Sequence, residues 1–265
     1  MAEQIRAAGM DRAKRKPTTD LAAYDLVLRG TERLASYDDG ATEVAVALFE
    51  RAVALDPDYA LANAFLALAI FNLPWGERVA EDWERCHALG TRAVQLDPTD
   101  SRCHRILAMI LLIGRAFDRA LEHADRSVTL NPNDADAALY RGAALNFLGR
   151  HAEALAEGRR GAGLNPYQPL HHAQILGRIL HEAGHQAEAA ASYERIAPPR
   201  FHHHARLAAC HAALGRPDAA RDCVARTLAV KPDFSSAAWT ATMPFRGEAD
   251  RERLCAELVA PGLPP

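Results

Sequence analysis

Small and bulky apolar residues alternate along this chain at helical spacing, and the alternation recurs from one segment to the next. Small side chains let two helix backbones approach closely, and bulky neighbours fill the space beside them. The pattern predicts pairs of packed helices. The small positions are Ala67, Ala108, Gly142, Gly177 and Ala208 in first helices and Ala45, Ala120, Ala154, Ala189 and Ala220 in second helices, with bulky neighbours such as Phe49, Ile70, Leu111, Leu145 and Tyr193.

Prolines punctuate this pattern at a nearly constant interval, after segments with similar endings such as ALFERAVALDPD and ADRSVTLNPND. Proline lacks an amide hydrogen and pushes the preceding residue out of the helical region, so each proline is predicted to end a second helix. Successive prolines lie 41, 34, 34, 32 and 34 residues apart, and a 34-residue period is typical of the tetratricopeptide repeat (TPR). The prolines are Pro57, Pro98, Pro132, Pro166, Pro198 and Pro232.

The sequence therefore predicts an all-α fold, a right-handed α-solenoid of about six TPR-like helix pairs with a C-terminal capping helix. We expect a basic N-terminal segment or linker at 1–17, the superhelix at 18–235, and a cap and tail at 236–265. Glycine is expected to end the first helix of each pair in the left-handed conformation. The turns with this glycine are Gly114-Arg115, Gly149-Arg150, Gly184-His185 and Gly215-Arg216, and longer turns are expected at 36–42 and 72–85.

Composition restricts the classes of function. The 265 residues are 49% hydrophobic and 25% charged with a net charge of -3, which is ordinary for a globular protein and gives no general attraction to nucleic acid or anionic membrane. Five cysteines without CxxC spacing predict reduced thiols. The N-terminus lacks the apolar core of a signal peptide. We expect a cytoplasmic protein with neither a nucleic-acid nor a membrane partner.

The sequences at both ends of the chain resemble those of one bacterial subgroup of these repeats. The segments RKPTTDLAAYDLVLRG and MPFRGEADRERLCAELVAPGLPP resemble the tetratricopeptide region at the C-terminus of bacterial adenylate cyclases and of winged-helix transcriptional regulators. The resemblance covers nearly all of residues 16–265. In that family a cyclase or DNA-binding domain precedes the region, and this sequence shows neither. The resemblance therefore implies a sensory or scaffolding module, either a stand-alone relative or a piece of a longer protein.

The sequence HEAGH at residues 181–185 matches the HExxH pattern of zinc metalloproteases, in which one helix presents two zinc-binding histidines and a glutamate base. That chemistry needs an unbroken helix through both histidines. The repeat register instead places Gly184 at a turn, so we predict no catalytic residue and no metal ligand here. A zinc-dependent hydrolase remains a distant alternative.

Eight of the 12 histidines lie between residues 171 and 211. His171 and His181 share one face of a first helix with Gln174 and Arg178, at steps of three and four, and His202 takes the equivalent place in the next unit. This face is expected to line the concave groove of the superhelix. A pH-responsive groove, transition-metal binding and a chance surface cluster are the three interpretations.

The same register extends the predicted groove into earlier units. An apolar strip flanked by arginine suits an extended or helical peptide with acidic groups. Met109 and Phe147 fit ordinary inter-helix core equally well. The predicted groove residues are Leu61, Ala64, Leu68, Phe71, Arg102, Arg105, Met109, Leu112, Asp136, Leu139, Ala143, Phe147, His171, Gln174, Arg178, His181 and His202.

The sequence contains no nucleophile, phosphate-binding or dinucleotide-binding motif. We therefore expect no enzyme and no cofactor, but a scaffold that binds a partner protein or peptide in the groove. A detached regulatory module of a nucleotide cyclase or transcriptional regulator is the alternative. Pairing of two copies through their terminal helices is left open.

Overall fold

The computed structural model describes residues 18, 20–36, 38, 40–73, 80–167 and 169–265. These residues form helices and turns, and no strand occurs among them. The helices are α1 (Leu21–Ser36), α2 (Ala41–Leu55), α3 (Ala60–Phe71), α4 (Ala80–Leu96), α5 (Ser101–Ile113), α6 (Phe117–Leu130), α7 (Ala135–Phe147), α8 (His151–Leu164), α9 (Leu170–Glu182), α10 (Gln186–Glu194), α11 (Phe201–Ala213), α12 (Pro217–Val230), α13 (Ser236–Thr242) and α14 (Glu248–Val259).

The chain divides into two compact units, one ending at Leu107 and one running from Ala108 to Pro265. In the first unit α1 packs against α2 and α3 against α4, and in the second α7 packs against α8, α9 against α10 and α11 against α12. First helices of successive pairs also touch, α1 with α3 and α7 with α9. Both units are therefore built of successive helix pairs, as the repeat predicts.

The second helices end where the prolines predict. Helix α2 ends at Leu55, two residues before Pro57, and α6 ends at Leu130, two residues before Pro132. The first extra turn, 36–42, connects α1 to α2. Of the second, predicted at 72–85, residues 74–79 lie outside the described residues. Residues 80–85 already belong to α4, so the predicted turn extended too far.

Three of the four predicted glycine turns are confirmed, and one needs a correction. Gly149, Gly184 and Gly215 have φ angles of 78°, 82° and 69°, but in the fourth turn Arg115 has the left-handed φ of 58° and Gly114 does not. The backbone hydrogen bonds explain why the left-handed residue lies one position later. In the other three turns, the residue after the glycine donates its N–H to a carbonyl five residues earlier. In this turn Ala116, the residue after Arg115, makes the same bond to Leu111 O. Arg115 thus occupies the glycine position of this turn.

Small residues sit where helices cross, as predicted. A Cβ atom added to Gly177 would lie 2.9 Å from Cε1 of Tyr193, which real contacts do not allow. Ala154 and Ala189 are fully buried in the adjoining cores. Four of the five free cysteines are also buried, and Cys255 is half-buried. No helix in the described part of the chain is long and apolar enough to cross a bilayer.

Candidate functional site

Residues 236–265, here called the C-terminal segment, fold back onto first helices of the second unit. The segment contains α13 and α14, and α14 packs against α11. Its end returns to its beginning, since Ser236 N donates to Pro264 O at 2.9 Å and Ser235 Oγ donates to Pro265 O at 2.8 Å. The segment is therefore closed on itself as it crosses the second unit.

Phe147 is the main apolar contact of the C-terminal segment with α7. Its ring meets the ring of Phe245 edge to face, with centroids 5.1 Å apart. The backbone amide of Arg246 donates to Phe147 O at 2.9 Å. On α9, the guanidinium carbon of Arg178 lies 4.9 Å from the centre of the Phe147 ring. Phe147 is 2% exposed, so this contact belongs to the packed interior.

Arg115 holds the backbone of the C-terminal segment. Its guanidinium donates to the carbonyl oxygens of Ala241 (3.2 Å), Met243 (3.1 Å) and Phe245 (3.3 Å). A non-glycine residue in the left-handed region is strained, and such residues persist where surrounding contacts determine them. Here the hydrogen bonds to the three carbonyl oxygens are those contacts. Because Arg115 binds backbone oxygens, these bonds do not depend on the side chains of the segment.

Glu182 joins α9, α11 and α14 through a buried carboxylate. Its side chain is fully buried, and it accepts from Arg206 Nη1 at 3.1 Å and from Arg253 Nη2 at 3.0 Å. Arg253 also donates to Glu182 O at 3.0 Å. A buried carboxylate is tolerated when cations and hydrogen bonds compensate it. Two arginines from two other helices do so here.

His181 extends this network toward α14. Arg206 Nη1 donates to His181 Nδ1 at 3.3 Å, so the ring proton lies on Nε2, which donates to Glu257 Oε2 at 3.1 Å. Burial alone would raise the pKa of Glu257, but the hydrogen bond from His181 and the nearby arginines lower it below its ordinary value. In the first turn of α14, Asp250 Oδ1 accepts from His151 Nε2 at 2.9 Å. The segment thus presents carboxylates to histidines of the second unit.

Several buried donors beside this network have no partner. Arg178 Nε, Arg206 Nη2 and the hydroxyl of Tyr193 are buried without a hydrogen bond. Burial, and then the charge of Arg206, lower the pKa of Arg178 to about 10. Buried polar groups in folded proteins nearly always have partners. This part of the second unit therefore has more donors than acceptors, which suits an acidic ligand.

Asp136, His171 and His172 converge at the start of two neighbouring first helices. Asp136 is the second residue of α7, and the two histidines are the second and third residues of α9. Asp136 Oδ1 accepts from His171 Nε2 at 2.8 Å and from His172 Nε2 at 2.6 Å. One ligand atom from each residue lies within 4.8 Å of the others, as a metal ion requires. The sequence prediction contained no metal ligands, and the structure brings these three together.

An open cleft adjoins this trio. Besides the trio, it is lined by Asn131, Asn133, Asp134, Ala135, Leu164, Asn165 and Pro169. None of these described lining residues is lysine or arginine. Asp134 caps α7 by accepting from the amides of Asp136 and Ala137. With two carboxylates and no basic residue beyond histidine among these residues, the cleft suits a cation rather than an anion.

The predicted groove residues fall at regular positions of the first helices. Leu61, Arg102, Asp136, His171 and His202 are each the second residue of their helix. The register that grouped them is therefore shared, although the first two belong to the first unit and the others to the second.

Their exposure varies widely. In the second unit, the structure groups Phe147, Arg178 and His181 near the C-terminal segment, and Asp136 with His171 at the cleft. As a peptide-binding groove, the whole set remains a prediction. Leu61, Ala64, Leu68, Arg105, Leu112, Leu139, Ala143, Phe147 and His181 are buried, whereas Phe71, Arg102, Met109, Asp136, His171, Gln174, Arg178 and His202 are half-buried.

The HEAGH motif does not form a zincin helix. Helix α9 ends at Glu182, and Gly184 has the left-handed conformation predicted for the turn. His185 lies beyond the helix end and its Nδ1 donates to Glu188 Oε1 at 3.1 Å. His181 and Glu182 instead take part in the buried network described above. The motif contributes packing between α9 and the C-terminal segment.

Sequence reasoning missed Arg206, Glu182 and Arg253 as partners. One signal was available, since a charged residue at a position that small or apolar residues hold in other units implies a buried partner. Glu182 has the same helix position as Phe147. Arg253, one of its two partners, lies 71 positions away from Glu182 in the sequence. The repeat period does not predict a contact over that separation.

Comparison with known proteins supports the fold. Residues 107–169 match the tetratricopeptide repeat family, and no curated protein matches the chain. The Pseudomonas aeruginosa pilF structure is 16% identical with a TM-score of 0.54, covering 89% of this chain and 97% of that one. PilW, a widely conserved type IV pilus biogenesis factor, is 18% identical with a TM-score of 0.56, covering 82% and 96%.

A third similar structure comes from the APC/C hetero-tetramer Cut9-Hcn1. It is 13% identical with a TM-score of 0.60, and the match covers 91% of this chain and 50% of that one. Identities this low show the fold alone. The all-α, TPR-type solenoid class is thereby confirmed. The resemblance to cyclase and regulator regions stays a prediction.

Proposed function

We propose that this chain is a protein-interaction scaffold whose second unit binds an acidic, aromatic segment of a partner on its first-helix side. Helical-repeat proteins use extended surfaces of this kind for binding. The observation that carries the proposal is the C-terminal segment, because it already lies on first helices of the second unit. Its contacts are the basis for the partner chemistry that we propose.

The contacts define the chemistry of the partner. Phe147 takes an aromatic ring, as it takes Phe245. His181 and His151 take carboxylates, as they take Glu257 and Asp250. A helical or turn-containing segment with one aromatic residue followed by acidic residues matches these three contacts. Recognition of an amphipathic helix in a groove follows the same logic.

The unpartnered donors strengthen the case for an acidic ligand. Arg178 Nε and Arg206 Nη2 lie buried without acceptors even while the C-terminal segment is in place. A ligand with more carboxylates than the segment would satisfy them, and buried charge-assisted hydrogen bonds are stronger than neutral ones. The partner is therefore expected to be at least as acidic as α14.

Displacement of the C-terminal segment would regulate such binding. A tethered segment competes at a high effective concentration. If the closed form outnumbers the open form by about 100 to 1, the apparent affinity for a partner falls by about 100-fold. Weakening the docked segment is then expected to strengthen partner binding.

The test uses a fluorescent peptide of residues 236–265 and the full chain. Phe245→Ala removes the ring from Phe147, and Glu252→Ala changes an exposed residue of α14 as the control. We expect fluorescence anisotropy to show binding about ten-fold tighter to the F245A variant than to the wild type or the E252A variant. A peptide with Asp250→Asn and Glu257→Gln should bind more weakly. Failure of the folded F245A variant to bind the peptide would contradict the proposal.

A further inference from the structure

We propose that Asp136, His171 and His172 form a binding site for one divalent transition-metal ion, with Zn²⁺ as the best fit. The site lies apart from the C-terminal segment contacts and does not depend on the proposed partner binding. Its three ligand atoms are Asp136 Oδ1 and the Nε2 atoms of the two histidines.

The donor set selects the class of metal. Two imidazole nitrogens and one carboxylate oxygen suit zinc and its borderline neighbours, whereas Mg²⁺ and Ca²⁺ prefer oxygen ligands throughout. Three protein ligands leave a fourth zinc position for water or another group. The three ligands line an open cleft that has room for that group, and Asn131 and Asn165 are among its other lining residues.

The geometry needs only a small adjustment. Zinc–ligand distances of about 2.0–2.2 Å in a tetrahedral site separate ligand atoms by roughly 3.3 Å. The two nitrogens now lie 2.8 and 2.6 Å from Asp136 Oδ1. Small side-chain rotations therefore make room for the ion. The side chains of Asp136 and His171 are 28% and 30% exposed, so the ion has a path from solvent.

His172 is the most buried of the three ligands. The His172 side chain is 3% exposed, and its Nδ1 has no hydrogen-bond partner. Its ring stands at 84° to that of His171, with centroids 4.5 Å apart, so the two rings approach Asp136 from different directions. A metal would take the place of the two Nε2 protons now shared with the carboxylate, and each neutral ring would then carry its proton on Nδ1. Binding would also join the first turns of α7 and α9, which already pack together.

Calorimetric titration of the tag-free, chelator-treated full chain with ZnCl₂ is the direct test. We expect one ion per chain for the wild type, and a loss of at least about ten-fold in affinity for Asp136→Asn and for His171→Gln. His185→Gln is the matched control, because His185 pairs with one carboxylate, Glu188, without a third ligand. It should bind as the wild type does, and Mg²⁺ should give no heat.

Two further readouts make the outcome decisive. Co²⁺ should give visible absorption bands of nitrogen and oxygen coordination in the wild type and not in the D136N variant. Affinity should fall on acidification, because protons compete with the metal for the same nitrogens. Absence of Zn²⁺ binding by the wild type, or equal binding by wild type and both folded site variants, would overturn the proposal.

Discussion

Two adjacent pairs of histidines occupy the same place in successive helix pairs, and their surroundings are opposite in charge. His171 and His172 are the second and third residues of α9, and His202 and His203 are the second and third residues of α11. The first pair donates to one carboxylate, that of Asp136. The second pair has arginines near it instead.

The second pair is held in the neutral state. Burial first, and then the charge of Arg200, lower the pKa of His203 to about 3. Burial and the neighbouring His203, Arg200 and Arg206 lower the pKa of His202 well below its ordinary value. His203 Nδ1 accepts from Arg200 N at 3.0 Å, and the ring of His202 stacks on Trp239 with centroids 6.5 Å apart.

The difference shows that repeat position fixes where a side chain lies but not what it does. The residue on the neighbouring element decides the chemistry. A carboxylate on α7 makes the α9 pair a cation site, whereas arginines and the C-terminal segment make the α11 pair part of a cationic interior. Four changes test this comparison, in order of decreasing effect.

Removing the buried arginine of α11 should have the largest effect. Arg206→Ala takes one of two cations from the fully buried Glu182 carboxylate. Loss of one partner of a buried ion pair costs about 3–5 kcal/mol, so we expect the free energy of unfolding to fall by that amount in urea titrations. Arg226→Ala, in the exposed pair with Asp222, should change it little. Equal effects of the two substitutions would contradict the assigned role of Arg206.

Neutralising the carboxylate of the first pair should have a smaller effect. Asp136→Asn keeps an acceptor oxygen for His171 and His172 but removes its charge. Hydrogen bonds to charged groups contribute about 1.5–3 kcal/mol, so a loss of about 1–2 kcal/mol in unfolding free energy is expected without metal. Adding Zn²⁺ should raise the Tm of the wild type more than that of the variant, because the variant binds the ion more weakly. An equal Tm increase in both would contradict the comparison at this site.

Acid should act on the second pair. The pKa of His203 is about 3 in the folded protein and about 6.5 in an unfolded chain. The unfolded state therefore binds more protons below pH 6.5, and stability falls as the pH falls from there toward 3. Between pH 7 and 5.5, His203 should account for a loss of about 1 kcal/mol. His203→Gln should remove this part of the loss, measured by urea unfolding at both values. An unchanged pH dependence would show that His203 titrates normally.

The smallest effect concerns Arg115, which holds the C-terminal segment beside the second pair. Arg115→Ala and Arg115→Gly both lose the three carbonyl contacts, but only glycine relieves the left-handed φ of 58°. The relief of roughly 1–2 kcal/mol is offset by about 0.5–1 kcal/mol of chain entropy. We expect the R115G variant to unfold at a Tm slightly above that of the R115A variant. A lower Tm for R115G would show that the backbone is not strained there.

Local features of the fold followed from the sequence. Helix ends before Pro57 and Pro132, the turns at Gly149 and Gly184, and the shared helix position of His171 and His202 all depend on neighbours within one repeat. Proline and glycine act on their own backbone, so their effects appear in the sequence. The left-handed residue of the turn at Arg115 was not predicted, because it is not a glycine. Its backbone strain is compensated by contacts with residues more than 120 positions away.

The candidate sites were accessible only in part. Asp136, His171 and His181 were identified as groove residues from their register, but not as ligands of one another. Asp136 meets His171 because α7 and α9 are adjacent first helices, which the repeat predicts. The contact also requires the rings of His171 and His172 to point toward the same oxygen, Asp136 Oδ1. Their orientation depends on the packing around His172, which the repeat does not predict. Contacts with the C-terminal segment follow from no periodicity.

The two halves of the C-terminal segment are held in different ways, and this has a consequence for sequence variation. Arg115 binds main-chain oxygens between Ala241 and Phe245, and any residue supplies those. Helix α14 is held through the side chains of Asp250, Arg253 and Glu257. Among related chains that keep this arrangement, residues 241 and 243 should drift freely, while the three charged positions of α14 change only together with their partners.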